Sequence, residues 1–484
     1  MKKIARAAIL AFCALTISAG AADRPNVVFF LIDDLGWADL GCYGSKFHET
    51  PNLDRLAQQG MRFTDAYAAC PVCSPTRAAV MTGKFPARLG ITDWIGASQK
   101  RQALVTPLNE SFLPLEEVTI GEAMQAGGYE TAYFGKWHLG AQDEHHPQNQ
   151  GFGYHRGVNR AGAPGSYFFP FSRGKGPKTG GSAVPDFEEA KKGDYLTDLL
   201  AGEAIKFVEA NQANPFFLFL AHYSIHTPIQ AKPVHVEKYQ KKLAARGGST
   251  EPRSRDERGY GTTRMDQNNP ALAGMVESVD ASVGRMLDKL DELGLTEKTV
   301  IIFTSDNGGL STLQGDRVGP GCTLPLRGGK GWMYEGGIRV PLIIRWPGVT
   351  RAGSTCAVPV VSTDFYPTLL ELAGLPARPG QHLDGLSLAG LLRGDRELAR
   401  EAIFWHYPHY HGSGNRPTAG VRKGDYKLVR WYEDGSEELF RLSDDLGEQK
   451  DLISTMPEKR SELSGDLDAW LKTTGARMAV PESR

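Results

Sequence analysis

Neither sign of charge dominates this sequence. Its 484 residues carry 55 lysines and arginines against 56 acidic residues, for a formal net charge of −1. Such a balance offers no broadly basic surface, so we expect no nucleic-acid partner. Long apolar runs are also missing, because the longest, near the N-terminus, is shorter than the roughly 20 residues that cross a bilayer. We therefore expect no membrane span.

The N-terminal apolar run has the features of an export signal. A basic start precedes an apolar stretch from Ala7 to about Ile17, and small residues follow it. This order is typical of a secretory signal peptide, which we place at residues 1–22. The mature protein is then expected to be exported, either to the periplasm or out of the cell.

Cysteine is scarce, and its number is odd after export. Removing Cys13 with the signal leaves five cysteines, so at least one stays unpaired in an oxidising compartment. Cys70 and Cys73 form a Cys-x-x-Cys pattern that fits a redox pair, half a metal site or two buried thiols. The remaining three are Cys42, Cys322 and Cys356.

The length and the 41% hydrophobic content allow a large core and predict two domains. A stretch rich in proline and glycine at residues 375–380 marks the boundary, giving domains at residues 23–375 and 376–484. The charged, glycine-rich residues 241–269 are expected to lie at the surface.

Acidic residues follow two predicted buried strands. The nearly continuous apolar run Asn26–Ile32 is typical of a strand in a parallel sheet, and it ends at Asp33 and Asp34. A later strand ends just before Asp306 and Asn307. Open α/β sheets bind ligands at this edge, and carboxylate plus amide oxygens suit a hard cation such as calcium. Each pair could instead cap a local turn.

A short helix is predicted just after Cys73. Ser74 suits the N-cap, Pro75 the first helical position and Gly83 the residue past the end. Cys73 would then lie beside the positive end of a helix, which favours thiolates and binds oxyanions. Arg77, one turn in, adds a fixed charge there.

Lysines and histidines follow other predicted strand ends or lie between glycines. Lys136 and His138 follow one strand, His226 follows another, and Lys330 lies in a glycine-rich run that lets an anion approach closely. Taken alone, each of these residues could simply be a polar side chain at the protein surface.

Three histidines alternate with aromatic residues near the start of the second domain. The spacing of His406, His409 and His411 fits a strand with two faces better than a metal site. We place this segment at the rim of a pocket.

The pattern Cys-x-Pro-x-Arg at Cys73 to Arg77, with a following Thr-Gly, resembles the signature of the type I sulfatase family in the alkaline-phosphatase-like superfamily. Four further segments resemble the family's motifs in the same order, and the likeness runs from about Arg24 to about Leu471. They contain, in turn, Asp33 and Asp34; Lys136 and His138; His226; and Asp306 and Asn307 with the downstream Lys330.

The resemblance implies an α/β fold with a large mixed, mostly parallel sheet between helices. Residues 23–375 would be the catalytic domain, and residues 376–484 a small α+β subdomain with an antiparallel sheet and a helix.

The resemblance also implies the nucleophile and the metal. Cys73 would be oxidised by a formylglycine-forming maturation enzyme to 3-oxoalanine (Cα-formylglycine), whose hydrate attacks sulfur. One Ca²⁺ ion would be bound by Asp33, Asp34, Cys73, Asp306 and Asn307.

The same resemblance assigns the remaining groups. Arg77 would steady the formylglycine hydroxyls, while Lys136 and Lys330 bind sulfate. His226 would contact the substrate and protonate the leaving oxygen, and His138 would be the base that releases sulfate.

Three alternatives stay open. A phosphatase or phosphodiesterase of the superfamily would use Ser or Thr and two zinc ions, and Asn307 in place of a histidine argues against that. A silent binding protein would be expected to have lost Cys73 or the lysines. Without a maturation enzyme, Cys73 would stay an inert thiol.

Within the family, the chain resembles exported bacterial polysaccharide sulfatases and relatives of N-acetylgalactosamine-6-sulfatase and arylsulfatase A. Selectivity is expected from residues 91–94, 142–185 and 405–411, whose aromatic and polar groups suit sugars. We expect a sulfated carbohydrate as substrate, with a small aryl sulfate as the alternative.

Overall fold

The computed structural model describes residues 24–172 and 182–482, so the expected signal peptide lies outside the described residues. The helices are α1 Pro51–Gln59, α2 Cys73–Thr82, α3 Pro86–Leu89, α4 Ile120–Ala126, α5 Leu196–Ala210, α6 Pro233–Ala245, α7 Pro270–Glu292, α8 Glu335–Ile338, α9 Phe365–Leu372, α10 Ala389–Arg393 and α11 Pro457–Thr473. The strands are β1 Asn26–Ile32, β2 Met61–Phe63, β3 Ala66–Tyr67, β4 Leu104–Val105, β5 Glu130–Gly135, β6 Tyr154–Arg156, β7 Phe216–Ala221, β8 Ser254–Glu257, β9 Gly261–Arg264, β10 Thr299–Ser305, β11 Thr312–Gln314, β12 Leu342–Arg345, β13 Ser354–Cys356, β14 Val360–Val361, β15 Ala402–Tyr407, β16 Thr418–Lys423, β17 Tyr426–Trp431, β18 Glu437–Arg441 and β19 Val480–Pro481.

The central sheet has eight strands in the order β13-β2-β12-β10-β1-β7-β5-β6. Strand β1 pairs in parallel with both β10 and β7, while β12 runs antiparallel to β10 and β2. The sheet is therefore mixed and mostly parallel, which confirms the expected fold class.

Helices cover both faces of this sheet, because β1 is buried on each side. Val27, Phe29 and Leu31 pack in one core with α2, α4 and α9. The alternate side chains of β1 pack in a second core with α1, α5 and α7. A strand with apolar side chains on both faces needs two such layers, and this accounts for its unbroken hydrophobic run.

The C-terminal part contains the expected antiparallel sheet, with strands in the order β15-β16-β17-β18 and helix α11 packed against it. Its other face shares a core with Trp332 and Tyr334 from the N-terminal part. The boundary at residues 375–380 stays a prediction.

Residues 241–269 lie largely at the surface, as expected, but they have regular structure that the sequence did not indicate. Helix α6 runs into this segment, and β8 and β9 form a three-stranded antiparallel sheet with β11. These strands are four residues long and carry polar side chains, so they lack the apolar alternation that reveals a strand. Among the helices of residues 24–172 and 182–482, none has the length and apolarity needed to cross a membrane.

A buried group of charges joins the two parts of the chain. Lys427 Nζ lies 2.9 Å from Glu335 Oε1 and 2.8 Å from Glu448 Oε1, and all three side chains are fully buried. Arg339 Nη1 also contacts Glu335, at 3.1 Å. Charges removed from water in this way are stable only while they stay paired.

Replacing Lys427 by methionine should therefore destabilise the fold strongly. The variant keeps an unbranched side chain but leaves two buried carboxylates without their shared cation, and we expect a loss of about 3–5 kcal/mol. Urea unfolding measures this loss. Lys423→Met is the matched control, because Lys423 pairs with Glu462 and Asp466 at the surface. Equal losses in the two variants would contradict the prediction.

Candidate active site

The ends of four parallel strands meet at one edge of the sheet and bring the predicted residues together. Strands β1 and β10 pair with Ile32 opposite Ser305, so the acidic residues that follow them lie side by side. The neighbouring strands β7 and β5 lead to His226 and Lys136. This convergence explains why residues so far apart in sequence form one cluster.

Each carboxylate of the cluster contacts a cation. Lys136 Nζ lies 2.7 Å from Asp33 Oδ2, and Lys330 Nζ lies 2.6 Å from Asp34 Oδ1. The third pair, beneath the others, has Arg77 Nε at 2.9 Å and Nη2 at 2.8 Å from Asp306 Oδ2. All six side chains are buried. Each of the three acidic side chains is thus paired with one basic side chain.

Oxygen atoms left over in this cluster fit a hard cation. Asp33 Oδ1, Asp34 Oδ2 and Asn307 Oδ1 are buried and accept no hydrogen bond from the described residues. Buried oxygens are rarely left without a partner, because this costs free energy. One ligand atom each from Asp33, Cys73 and Asp306 lies within 4.8 Å of the others. These carboxylate and amide oxygens suit Ca²⁺.

The two adjacent aspartates have opposite pKa shifts. Burial raises the pKa of Asp33 well above its usual value, against the opposing charge of Lys136, and the nearby acids add to the rise. Burial also acts against ionisation of Asp34, but the charge of Lys330 holds the pKa of Asp34 below its usual value. Additional positive charge in the cluster would favour the ionised form of both groups.

Helix α2 starts at Cys73, two residues earlier than predicted. Its N-cap is Val72, and the prediction of Ser74 as N-cap and Pro75 as first helical residue is wrong. The hydroxyl of Ser74 instead accepts a hydrogen bond from the Ile95 N–H at 3.0 Å, a long-range contact that local spacing cannot reveal. Gly83 ends the helix in a left-handed conformation, as predicted.

His138 is held in its neutral form with a free lone pair. Its Nε2 donates to the carbonyl of Ile95 at 2.9 Å, while Nδ1 has no partner among the described residues. Burial lowers the pKa of His138, and Lys136 lowers it further. A side chain on Gly162 would place its Cβ 2.1 Å from His138 Cε1, so glycine is required there.

His226 faces the carboxylate cluster. Its Nδ1 donates to the carbonyl of Thr227 at 2.8 Å, which leaves Nε2 as an acceptor 3.9 Å from Asp34 Oδ2. Burial, with the charge of Lys330, lowers the pKa of His226 to about 3.

A cavity of about 840 Å³ opens above these groups. Four of the predicted residues line it, namely Cys73, His138, His226 and Lys330. The remaining predicted residues do not appear in its lining: Asp33, Asp34, Arg77, Lys136, Asp306 and Asn307.

All three segments assigned to selectivity contribute to the cavity wall. They supply Asp93, Trp94, residues 161–164, Ser182, Tyr410 and His411. The prediction for the three histidines is only partly right, because His406 is buried on β15 and hydrogen-bonded to Tyr432 and Arg477, while His409 contacts Thr92. Of the three histidines only His406 lies on β15. The strand ends at Tyr407, so His409 and His411 follow it in a loop and do not alternate between its faces.

Sequence reasoning missed the residues that position the predicted ones. The carbonyl of Ile95 and the bare face of Gly162 hold His138, but neither residue type signals such a contact. Gly331 is similar, since a Cβ there would lie 2.2 Å from His411 Nδ1.

The geometry gives no support to Cys70 and Cys73 as a redox pair, but it agrees with the interpretation as two buried thiols. Among the described residues, the groups that could hold a metal include Cys73 but not Cys70. All five described cysteines are free. The Cys70 thiol is directed to the Thr92 carbonyl, at 3.9 Å, and burial raises the pKa of Cys70 well above its usual value. A buried thiol of this kind is unreactive.

A cysteine at the start of a helix lies here beside a cluster of paired acidic and basic side chains and in the wall of an open cavity. This arrangement is typical of hydrolases that cleave sulfate or phosphate esters. The family model described as Sulfatase matches residues 25–375, and the chain belongs to that family. A second, described as N-sulphoglucosamine sulphohydrolase, C-terminal, matches residues 329–474. The protein is therefore an enzyme that hydrolyses sulfate esters.

Curated and solved relatives agree with this assignment. The chain is 32% identical to a sulfatase of Formosa agariphila, over 95% of this chain and 91% of that protein. It is 34% identical to human arylsulfatase A, over 87% of this chain and 78% of that protein. The crystal structure of Ps i-CgsB in complex with k-i-k-neocarrahexaose superposes with a TM-score of 0.76, at 29% identity over 92% of both chains.

Proposed function

We propose that this protein is an exported sulfatase that removes sulfate from a carbohydrate, with formylglycine at position 73 and one calcium ion. The observation that carries the proposal is that Cys73 lines the cavity and also lies within 4.8 Å of ligand atoms of Asp33 and Asp306. The same cluster contains three buried oxygens that lack partners among the described residues. Export rests on the N-terminal sequence pattern. The carbohydrate rests on the size of the cavity and its aromatic walls, and on the oligosaccharide bound to Ps i-CgsB.

Four oxygen-bearing residues, together with the matured residue 73, would bind the calcium ion: Asp33, Asp34, Asp306 and Asn307. When bound, the ion supplies positive charge that binds sulfate oxygens and stabilises charge in the transition state. The burial of these residues lowers the local dielectric constant and would strengthen this effect.

The first chemical step breaks the ester. One hydroxyl of the formylglycine hydrate gives its proton to solvent and attacks sulfur, a new oxygen–sulfur bond forms, and the bond between sulfur and the sugar oxygen breaks. The leaving oxygen takes a proton from His226. In the structure Nε2 of His226 is an acceptor, so it is the atom that would carry this proton once the anionic substrate has raised the pKa of His226.

The second step releases sulfate. His138 takes the proton from the remaining hydroxyl of residue 73, the carbon–oxygen bond to sulfate breaks, and the aldehyde re-forms. The free lone pair on His138 Nδ1 suits a base. Lys330 lines the cavity and would contact sulfate directly. Lys136 stays a predicted sulfate ligand and Arg77 a predicted partner of the hydrate, while in the structure they contact Asp33 and Asp306.

His138→Ala should stop the reaction after the first step. Without the base, turnover should fall by about 10²–10⁴-fold. The sulfated enzyme should then accumulate and give an intact mass higher by one sulfo group. His226→Ala is the contrasting variant, because loss of the acid slows the first step and no sulfated enzyme should build up. Normal turnover of the His138 variant, with no such species, would exclude this role.

Mass spectrometry of the peptide across Cys73, combined with sulfate release from sulfated oligosaccharides, tests the proposed function. We expect a peptide lighter than its cysteine form and release of sulfate from at least one saccharide. The similarity to arylsulfatase A favours the second candidate, an arylsulfatase. Turnover of small aryl sulfates alone would support that candidate. Hydrolysis of phosphate esters in preference to sulfate esters would instead point to a phosphatase of the superfamily.

A further inference from the structure

One acidic side chain lies in the wall of the cavity that should bind a sulfate ester. Among the described residues that line it, Asp93 is the only carboxylate. It is 5% exposed and shares the wall with Cys73. An ionised carboxylate repels an anionic substrate. A favourable contact between Asp93 and another part of the substrate would offset this repulsion.

The two oxygens of Asp93 have different environments. Oδ1 accepts hydrogen bonds from the Tyr407 hydroxyl at 3.0 Å and from the Trp94 N–H at 2.9 Å. Oδ2 accepts no hydrogen bond from the residues that the structure describes. His409 Nδ1 lies 3.8 Å from it, and burial lowers the pKa of His409 to about 3, so this ring is neutral. His409 itself is engaged through Nε2 with the Thr92 hydroxyl, at 2.8 Å. The protein thus fixes the carboxyl group through Oδ1 and leaves Oδ2 for a ligand.

We propose that Asp93 is a specificity-determining residue that binds a hydroxyl group on the same sugar ring as the scissile sulfate. This inference rests on the proposed function. The substrate class is then a sulfated sugar with a free hydroxyl close to the ester, rather than an aryl sulfate or a sugar with a second sulfate at that position.

The chemistry of the site favours a hydroxyl over other groups. Burial raises the pKa of Asp93 to about 7, so both protonation forms occur near neutrality. A hydroxyl can donate to the ionised form and accept from the protonated form. A second sulfate could only accept, and it would be repelled by the ionised form. Asp93 and Cys73 line the wall of the same cavity, so one bound ligand can face both groups.

Trp94 provides the apolar surface that a sugar ring needs. Its side chain is exposed, lines the same cavity, and lies with its ring centroid 6.5 Å from that of His138. Trp94 also donates its backbone N–H to Asp93 Oδ1. This bond helps to fix the Asp93 carboxylate relative to the apolar surface that Trp94 provides.

The test measures discrimination rather than activity alone. The first probes are the monosulfates of methyl β-D-galactopyranoside and methyl β-D-glucopyranoside. For the best substrate among them, the second probes are analogues that lack the hydroxyl group on one of the carbons next to the sulfate ester. We expect the matured wild-type enzyme to prefer the hydroxylated substrate over one analogue by on the order of 10- to 100-fold in kcat/KM, as for a hydrogen bond to a charged group. Asp93→Ala should lose this preference, and Asp93→Asn should keep a smaller part of it, because Asn retains the bonds at Oδ1.

Ser98→Ala is the matched control, since Ser98 lines the same cavity. It should keep the wild-type ratio. An unchanged ratio in both Asp93 variants would overturn the inference, as would turnover of 4-nitrophenyl sulfate with none of the saccharides. Failure of the matured enzyme on every sulfate ester, 4-nitrophenyl sulfate included, would instead overturn the proposed function.

Discussion

Cys73→Ala should abolish sulfate-ester hydrolysis, with a loss of at least about 10⁴-fold in kcat. The side chain at this position begins α2 and lines the cavity, and among the described groups that line it, it is the one proposed to form a bond to sulfur. Alanine fills nearly the same space, so the fold should persist. Sulfate release, measured together with the thermal midpoint, separates loss of chemistry from loss of structure.

Cys70→Ala is the matched control for this prediction. Cys70 lies three residues earlier, is equally buried and is directed away to the Thr92 carbonyl. Its removal should leave activity within a few-fold of wild type, since it deletes one small buried group. A redox pair would need both thiols, so comparable loss in the two variants would revive that interpretation and count against a converted Cys73.

The sheet was predictable because its central strands need apolar side chains on both faces. The run Asn26–Ile32 has no polar interruption after its first residue, and the structure has β1 over the same residues with all of them buried. The strands β8 and β9 were not predictable in this way. They are short and polar, and the sheet they form is completed by β11, which pairs with β9 from about fifty residues further along the chain.

The residues of the site were predictable where topology alone places them. Parallel strands that pair in register bring Asp33 and Asp306 to the same edge, so strand-end chemistry is enough to find them. Side chains such as Ser74 and Asp93 were different. Their partners, Ile95 and Tyr407, come from loops or a distant strand, and no local pattern encodes such contacts. What the sequence misses is therefore the set of long-range contacts that hold the site together, more than its reactive groups or the segments that line the cavity.

Removal of calcium should inactivate the enzyme and lower its stability. Three buried oxygens, on Asp33, Asp34 and Asn307, lack partners among the described residues, and a cation is what would satisfy them. Loss of several kcal/mol of transition-state stabilisation corresponds to about 10³-fold in rate. Protein treated with a chelator should regain activity on addition of Ca²⁺. Its free energy of unfolding should rise by about 2.7 kcal/mol at a calcium concentration of 100 Kd.

Asn307→Ala distinguishes calcium binding at this site from a general effect of salt on stability. The change removes one ligand oxygen without changing the net charge of the cluster, so we expect calcium affinity to fall by at least about 10-fold. The calcium dependence of the thermal midpoint measures it without any substrate. Asp39→Asn is the control, because Asp39 is also buried after β1 but binds the Gly36 N–H. Whatever its absolute stability, the thermal midpoint of the control should respond to calcium as that of the wild type does. A wild-type midpoint that ignores calcium, in protein stripped of metal, would mean that the three oxygens have some other partner.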